Sequence, residues 1–180
     1  MSKDGEERCI EVRREAGIAT ITLRRPEKRN ALTPALFERL GACFDEIAAN
    51  PDDRVMVLSG SGAAAERATQ GPIARAQLTR EMIAPALALH RIPKPTIAAV
   101  NGVAAGGGCN LALGCDIVFA GESARFAEIF VKRGLSLDYG GTWLLPRLVG
   151  LQRAKDIAFR GDVLDAREAL DLGLVLEVVA

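Results

Sequence analysis

Three consecutive glycines near the middle of the chain are the residues best placed for chemistry. Gly106, Gly107 and Gly108 follow an apolar stretch at residues 96–100 and precede a short helix-forming stretch. Backbone amides and the positive end of a helix in this position can bind a phosphate or an enolate oxygen. A dinucleotide site does not fit, because the third glycine of that motif and its distal acidic residue are missing. From the residues alone, an anion site and tight packing are equally good interpretations.

Hydrophobic periodicity predicts the elements that must position the glycines. Strands alternate with helices, and the first two strands form a hairpin around Gly17, so we expect one α/β domain with a mixed sheet. The predicted strands lie at residues 10–14, 18–23, 55–58, 96–100, 116–120 and 174–179; the predicted helices lie at 34–50 with Thr33 as cap, 73–90, 107–113, 142–148 and 151–159.

The composition narrows the class of partner. The chain has 180 residues, of which 49% are hydrophobic and 26% charged, and its formal net charge is zero. A balanced charge does not favour nucleic acid or a membrane surface, so a small molecule is the expected partner. The four cysteines lack CxxC spacing and the first residues lack a signal peptide, which favours reduced thiols and a cytoplasmic location. The uncharged stretch 96–115 contains too many glycines for a membrane span.

Several motifs in order carry a family resemblance. They are RPEKRNAL at 25–32, PKPTIAAVNG at 93–102, GGG at 106–108, CDI at 115–117, ARF at 124–126, GGT at 140–142, LPR at 145–147 and EA with GLV at 168–175. This pattern resembles the enoyl-CoA hydratase/isomerase (crotonase) family over nearly the whole chain. The resemblance implies a spiral of ββα turns with mixed sheets, and trimers that often pair into hexamers.

The resemblance also implies the ligand and part of its site. The substrate is a coenzyme A thioester, with no permanently bound cofactor and no metal. Gly107 matches the residue whose amide helps to bind the thioester oxygen, with Gly106 beside it in the pocket. Lys28, Arg29 and Ala31 match the segment that passes near coenzyme A, although a solvated basic loop explains the two charged side chains equally well.

Two positions depart from the hydratase pattern. A hydratase of this family uses one glutamate just after the glycines and another beyond the ARF motif to activate water. This chain has Asn110 and Phe130 at those positions, and the spacing from Phe126 to Gly134 makes Glu128 a neighbour of the second position. Simple hydration therefore lacks its two carboxylates.

Asp138 is the remaining candidate carboxylate. From the residues alone it is more often a helix N-cap than a catalytic group. Some family isomerases of phenylacetyl-CoA breakdown carry a similar Asp-x-Gly-Gly-Thr-Trp stretch, which implies a single-carboxylate proton shuttle; a related branch uses an aspartate from this region as a nucleophile. Phe130, Leu135 and Trp143 are then pocket walls, or alternatively ordinary core. His90 is expected to be a surface or capping residue.

A third departure concerns the other oxyanion amide. The family continues after residue 62 with an Ala-Phe-containing segment, whereas this chain reads AAAERATQG at residues 63–71. Either the chain has lost half of the oxyanion hole, or a segment near residues 63–66 is omitted from the sequence; we favour omission. The apolar end of the chain likewise suggests that a helical trimerisation region is missing.

Three functions remain open. The leading hypothesis is an enoyl-CoA isomerase that uses Asp138 and Gly107. The second is an enoyl-CoA hydratase with atypical acids, in which Glu128 or Asp138 activates water. The third is a thioester-binding scaffold without turnover, because a shared fold does not guarantee chemistry.

Overall fold

The computed structural model describes residues 9–25, 30, 32–61 and 83–180. Within these ranges the strands are β1 (Ile10–Glu15), β2 (Ile18–Leu23), β3 (Val55–Gly60), β4 (Thr96–Val100), β5 (Val103–Ala105), β6 (Ile117–Gly121), β7 (Arg125–Ala127), β8 (Val163–Asp165) and β9 (Glu177–Val179). The helices are α1 (Pro34–Ala49), α2 over residues 83–91, α3 (Gly107–Leu113), α4 (Gly141–Val149), α5 (Leu151–Arg160) and α6 (Ala166–Leu172), with a 3-10 helix at Ile129–Arg133.

A six-stranded mixed sheet forms the centre of the molecule. Its order is β1-β2-β3-β4-β6-β9, with β1 antiparallel to β2 and the other neighbours parallel. Parallel neighbours require crossover connections, which is why helices separate these strands along the chain. The predicted α/β class, the mixed sheet and the opening hairpin are therefore confirmed.

Helix α1 shows how the sequence fixes one of these connections. Thr33 accepts a hydrogen bond from the Leu36 amide at 3.3 Å, and Pro34 occupies the first turn, where its missing N–H costs nothing. The apolar side chains of α1 are buried, among them Phe37 and Phe44 at 1% and 0% exposure. The predicted cap and start of this helix are confirmed.

A second sheet of three short strands, in the order β5-β7-β8, was not predicted. β5 pairs with β7 in parallel, and β7 pairs with β8 antiparallel. Each strand has three residues, too few to display a two-residue alternation in the sequence. This small sheet holds the start of α3 beside the segment that follows β7.

One predicted strand is shorter in the structure, and one predicted helix lies partly outside the described residues. The predicted strand at 174–179 is only Glu177–Val179, because the Leu174 amide donates to the Ala169 carbonyl at 2.8 Å and closes the end of α6. Of the predicted helix at 73–90, residues 83–90 are helical and the earlier residues lie outside the described ranges. No helix in the described part of the chain is long and apolar enough to cross a membrane.

Candidate active site

The glycine loop places the first amide of α3 at a defined position. Gly106 adopts φ 54° and acts as the N-cap residue of α3, in a backbone conformation that disfavours other residues. Its amide donates to the Ala127 carbonyl at 2.8 Å, so the end of β5 and the end of β7 are fastened together. Gly107 is the first residue of α3, where an amide has no acceptor within its own helix. This amide is suited to an external oxygen.

Tyr139 explains why residue 107 is a glycine. A Cβ added at Gly107 would lie 2.7 Å from Cε2 of Tyr139, which is closer than real contacts allow. The tyrosine ring is 4% exposed and stacks on Phe37 with 4.9 Å between ring centroids. Tyr139 is not among the predicted site residues, because an aromatic residue in a turn carries no sequence signal that distinguishes it from a core residue.

Asn110 joins the glycine helix to two acidic residues. Its side chain is 1% exposed, and Nδ2 donates to the Asp138 backbone carbonyl at 3.0 Å and to Oε2 of Glu128 at 3.4 Å. A Cβ added at Gly141 would lie 2.5 Å from this same nitrogen, so the start of α4 packs directly on the amide. We call Asn110, Glu128 and Asp138 the Asn110 cluster.

Asp138 lies in the turn before α4 and does not cap that helix. The N-cap residue is Gly140, with φ 83°, and no side chain makes a capping hydrogen bond. The backbone carbonyl of Asp138 accepts from the Gly141 amide at 2.8 Å, while its carboxyl oxygen Oδ1 is buried. The interpretation of Asp138 as an N-cap is therefore wrong, because the N-cap residue is Gly140, which has no side chain.

The turn around Asp138 has an unusual backbone. Tyr139 adopts φ 49° and Gly140 φ 83°, so two consecutive residues lie in the left-handed region. For a non-glycine residue this conformation costs on the order of 1 kcal/mol or more, and such costs concentrate at functional sites. The contacts of Tyr139 with Phe37 and Gly107 offset that cost and hold the turn in place.

A cavity of about 280 Å³ opens beside the Asn110 cluster. It is mostly apolar and lies between α2, α3 and the start of α4; its walls include Ala86, His90, Asn110, Tyr139, Trp143 and Leu144. Trp143 is 46% exposed and meets the His90 ring edge-on at 5.3 Å between centroids. Arg147 covers the indole at 4.1 Å. His90 is exposed, as predicted, but it also forms part of this wall.

The other predicted pocket residues occupy different places. Phe130 is 5% exposed, and its ring would be 3.6 Å from a Cβ at Gly106, so it packs beneath the glycine loop. Leu135 is 42% exposed and is not among the residues that line the 280 Å³ cavity. Gly106 and Phe130 therefore lie side by side, Asn110 contacts the Asp138 backbone and shares the cavity wall with Trp143, and Leu135 is exposed.

A smaller cavity of about 80 Å³ lies on the other side of α3. Gly60, Ala98, Asn101 and Gly108 are among its lining residues, so the ends of β3 and β4 meet the glycines there. Leu111 contributes to both cavities, which places α3 between them. Lys28, Arg29, Ala31 and residues 63–66, on which the coenzyme A contacts and the second oxyanion amide depend, lie outside the described residues.

The sequence did not show that Glu128 is buried in the site. It is 2% exposed, and burial raises the pKa of its carboxyl to about 7. The negative charge of Asp138 also raises this pKa, whereas hydrogen bonds with Cys109 and Asn110 lower it. The alignment of motifs placed Glu128 two residues before the hydratase position, and nothing in the sequence showed that its side chain turns toward Asn110.

All four cysteines are free and buried, in agreement with the prediction of reduced thiols. Within the described ranges, no group of three or more His, Cys, Asp or Glu side chains is arranged to hold a metal ion. The polar side chains of the Asn110 cluster are an amide and two carboxyls.

Known proteins resemble this chain in sequence. The family model described as Enoyl-CoA hydratase/isomerase matches residues 13–180. The 1,2-epoxyphenylacetyl-CoA isomerase of Escherichia coli (strain K12) is 39% identical over 176 residues, which cover 92% of this chain and 67% of that protein. A probable enoyl-CoA hydratase of Rhodobacter capsulatus is 43% identical over 171 residues, covering 91% of this chain and 65% of the relative.

Solved structures share the fold. The enoyl-CoA hydratase of Bacillus anthracis superposes with a TM-score of 0.90 at 32% identity, covering 95% of this chain and 70% of that one. A probable enoyl-CoA hydratase/isomerase of Mycobacterium abscessus gives a TM-score of 0.89 at 34% identity, with 96% and 70% covered. The chain spans about two thirds of the length of the relatives it matches.

Proposed function

The chain belongs to the enoyl-CoA hydratase/isomerase family and has the crotonase fold, and on that premise we propose that it is an enoyl-CoA isomerase with Asp138 as proton shuttle. One observation carries this proposal. The carboxylate of Asp138 stands in a turn fixed by Asn110, whereas the two positions that bear glutamates in a family hydratase hold an amide and the buried ring of Phe130. One carboxylate suffices for isomerisation, whereas a family hydratase uses a glutamate at each of those two positions.

The Gly107 amide is proposed to bind the thioester oxygen. When a proton leaves the carbon next to the thioester, negative charge moves onto that oxygen, and a donor already aimed at it stabilises the enolate more than the ground state. One such donor contributes roughly 3–4 kcal/mol in other enzymes. The first amide of α3 fits this role because its own helix offers it no acceptor.

Asp138 is proposed to move the proton between two carbons. As a carboxylate it removes a proton from the α or γ carbon of the acyl group, and a dienolate forms. The protonated carboxyl then returns the proton to the other carbon, so the double bond shifts and no water is consumed. Asn110 supports this chemistry by holding the backbone of Asp138 through a 3.0 Å hydrogen bond.

The cavity of about 280 Å³ is proposed to receive the acyl group. Its largely apolar wall favours an unbranched or ring-containing hydrocarbon part over a charged one. The small cavity beside Gly108 lies on the opposite side of α3, where the coenzyme A arm is proposed to pass toward Lys28, Arg29 and Ala31. Assembly as a trimer or hexamer belongs to the same proposal.

Hydration is the second candidate, and Glu128 favours it. This carboxyl is buried against Asn110 and close enough to Asp138 for their charges to interact, so the site contains two carboxyls after all. A hydratase requires both groups to contact one water on one side of the substrate. Several relatives are named probable or putative enoyl-CoA hydratase, and a relative from Syntrophomonas wolfei that is 35% identical is named crotonyl-CoA hydratase.

The test compares two reactions in the same protein. Wild-type protein is assayed for hydration of crotonyl-CoA and for isomerisation of a 3-enoyl-CoA and a ring-containing unsaturated thioester. We expect isomerisation to dominate, and Asp138→Asn to lower its kcat by about 10²- to 10⁴-fold with little change in KM. Asp171→Asn, which removes an exposed carboxylate on α6, is the matched control and retains wild-type kcat.

Three outcomes decide among the candidates. Faster hydration of crotonyl-CoA that depends on Glu128 would replace the isomerase assignment with the hydratase. Full activity of Asp138→Asn in both assays would remove Asp138 from the mechanism. Binding of acyl-CoA without turnover of any of the three thioesters would support the scaffold.

A further inference from the structure

Glu128 is a buried acid without a counter-ion in the described part of the chain. Two acidic residues there are buried, Asp53 at 3% exposure and Glu128 at 2%. Asp53 pairs with Arg14, whose Nε lies 3.1 Å from Oδ2. Glu128 has hydrogen bonds with the Asn110 amide, at 3.4 Å from Oε2, and with Cys109, and its Oε1 has no hydrogen-bond partner among the described residues. A buried acid without a cation is costly, so its retention needs a reason.

The surroundings of Glu128 connect it to one other acid. On the facing helix α3 the titratable neighbour is Cys109, and from the turn before α4 it is Asp138. Lys132 and Arg133, on the 3-10 helix that follows Glu128, are exposed. Burial raises the pKa of Glu128 to about 7, and the charge of Asp138 adds to this rise. The protonation of the two acids is therefore coupled.

Asn110 links Glu128 and Asp138 through hydrogen bonds. The same nitrogen, Nδ2, donates to the Glu128 carboxyl and to the Asp138 backbone carbonyl, at 3.4 and 3.0 Å. Gly141 packs against this amide so closely that an added Cβ would lie 2.5 Å from the nitrogen. Since the amide has little room to move, the position of the Glu128 carboxyl and that of the Asp138 turn are set together.

We propose that Glu128 is a positioning residue that sets the basicity of Asp138: its buried carboxyl, linked through the Asn110 amide to the Asp138 turn, changes the charge that Asp138 experiences. The inference rests on the proposed role of Asp138 as proton shuttle. When Glu128 is neutral, it adds no negative charge beside the Asp138 carboxylate. When Glu128 ionises, repulsion between the two charges is relieved as Asp138 takes a proton, so Asp138 becomes the stronger base.

The first test is a pH profile of isomerisation of a 3-enoyl-CoA. In wild-type protein kcat should rise about threefold as the pH passes from about 6 to about 8, because Asp138 becomes the stronger base as Glu128 ionises. Glu128→Gln keeps an acceptor for Asn110 but cannot ionise, so its kcat should stay at the low-pH level with KM unchanged. Glu128→Asp should restore a rise. Glu122→Gln, an exposed control, should keep the wild-type profile.

A purely structural role for Glu128 gives a different result. The Gln variant would then differ from wild type in stability or in the amount of folded protein, but its pH profile would retain the wild-type rise. That outcome overturns the inference while leaving the assignment of Asp138 intact. Loss of activity in Asp138→Asn together with a flat Glu128→Gln profile supports both.

The second test needs no turnover. The Glu128 carboxyl carbon is followed by NMR in protein labelled with ¹³C at Glu side chains, with Glu128→Gln identifying its signal. Asp138→Asn should lower the Glu128 pKa, because it removes a like charge, and Asp171→Asn should leave it unchanged. An unchanged Glu128 pKa in Asp138→Asn overturns the coupling even if the isomerase assignment is correct. If the wild-type protein is inactive on every thioester, the proposed function is wrong. This titration then still tests whether the protonation of Glu128 and that of Asp138 are coupled.

Discussion

The ring of Tyr139 occupies the space that a side chain at Gly107 would need. An ideal Cβ at Gly107 would lie 2.7 Å from Cε2 of Tyr139, and this ring is held from its other side by Phe37. Packing against Tyr139 therefore requires a glycine at position 107, whether or not a ligand binds there. Substitution at this position tests the packing and the amide together.

We predict that Gly107→Ala lowers the free energy of unfolding by about 1–3 kcal/mol, because overpacking forces the buried tyrosine ring or α3 to shift. Isomerase activity should fall more than stability accounts for, since the amide moves with the helix. Chemical denaturation and steady-state kinetics measure the two effects. The matched control is Gly41→Ala in α1, whose added Cβ would lie 3.5 Å from Cγ of Pro85, an ordinary contact.

Gly41→Ala should stabilise the protein by about 0.5–1 kcal/mol, because alanine has the higher helix propensity, and should leave kcat unchanged. Equal destabilisation by both alanine substitutions would contradict the packing argument, since only one position lacks space for a methyl group.

We predict that Glu128 makes the protein less stable as the pH rises. Its folded-state pKa of about 7 lies above the reference value of 4.5, so the folded state holds the proton more tightly than the unfolded state does. The cost is absent below about pH 4.5, grows between 4.5 and 7, and is fully present above 7. Its full size is roughly 3 kcal/mol by the conversion of pKa units to free energy.

Glu128→Gln isolates this contribution from that of the other acids. The difference in unfolding free energy between the variant and wild type should be larger at about pH 8 than at about pH 5, in favour of the variant. Urea denaturation at the two pH values measures it, with Glu122→Gln as an exposed control within about 0.5 kcal/mol of wild type. A difference independent of pH would mean that Glu128 is already ionised in the folded protein at low pH.

We predict slow reaction of three buried thiols. Burial raises the pKa of Cys43, of Cys109 and of Cys115, the last to about 12. Since the thiolate is the nucleophile, alkylation of the native protein at about pH 8 should be at least a hundredfold slower than in denaturant. Mass spectrometry after brief iodoacetamide treatment locates the modified residues. Rapid modification of Cys109 in folded protein would show that the interior beside Glu128 is open.

Much of the fold is readable from the sequence because its patterns are local. The cap at Thr33, the break at Pro93–Pro95 and the helical spacing of α1 each act within a few residues, and the structure confirms the elements they predict. The three-residue strands β5, β7 and β8 are not readable in this way. They exist because β7 finds partners more than twenty residues away in each direction, and no local alternation marks them.

Some residues of the candidate site could likewise be predicted from the sequence, and others could not. The glycine loop and Asp138 could be selected because their residue types and motifs are distinctive. Glu128 could not be placed, because the direction of its side chain depends on the turn between β7 and the 3-10 helix. The cap interpretation of Asp138 failed for a related reason: Gly140 supplies the helix start without any side chain, which only the backbone angles reveal.

The hydrogen bond from Gly106 to Ala127 has a consequence for how this architecture can diversify. It fastens the glycine helix to the strand that precedes Glu128, so these two parts form one rigid platform. Asp138 instead belongs to a separate turn that meets the platform through Asn110. Under the proposed role of Asp138, a change of the acid in that turn would alter the proton transfer while leaving the backbone of the platform unchanged.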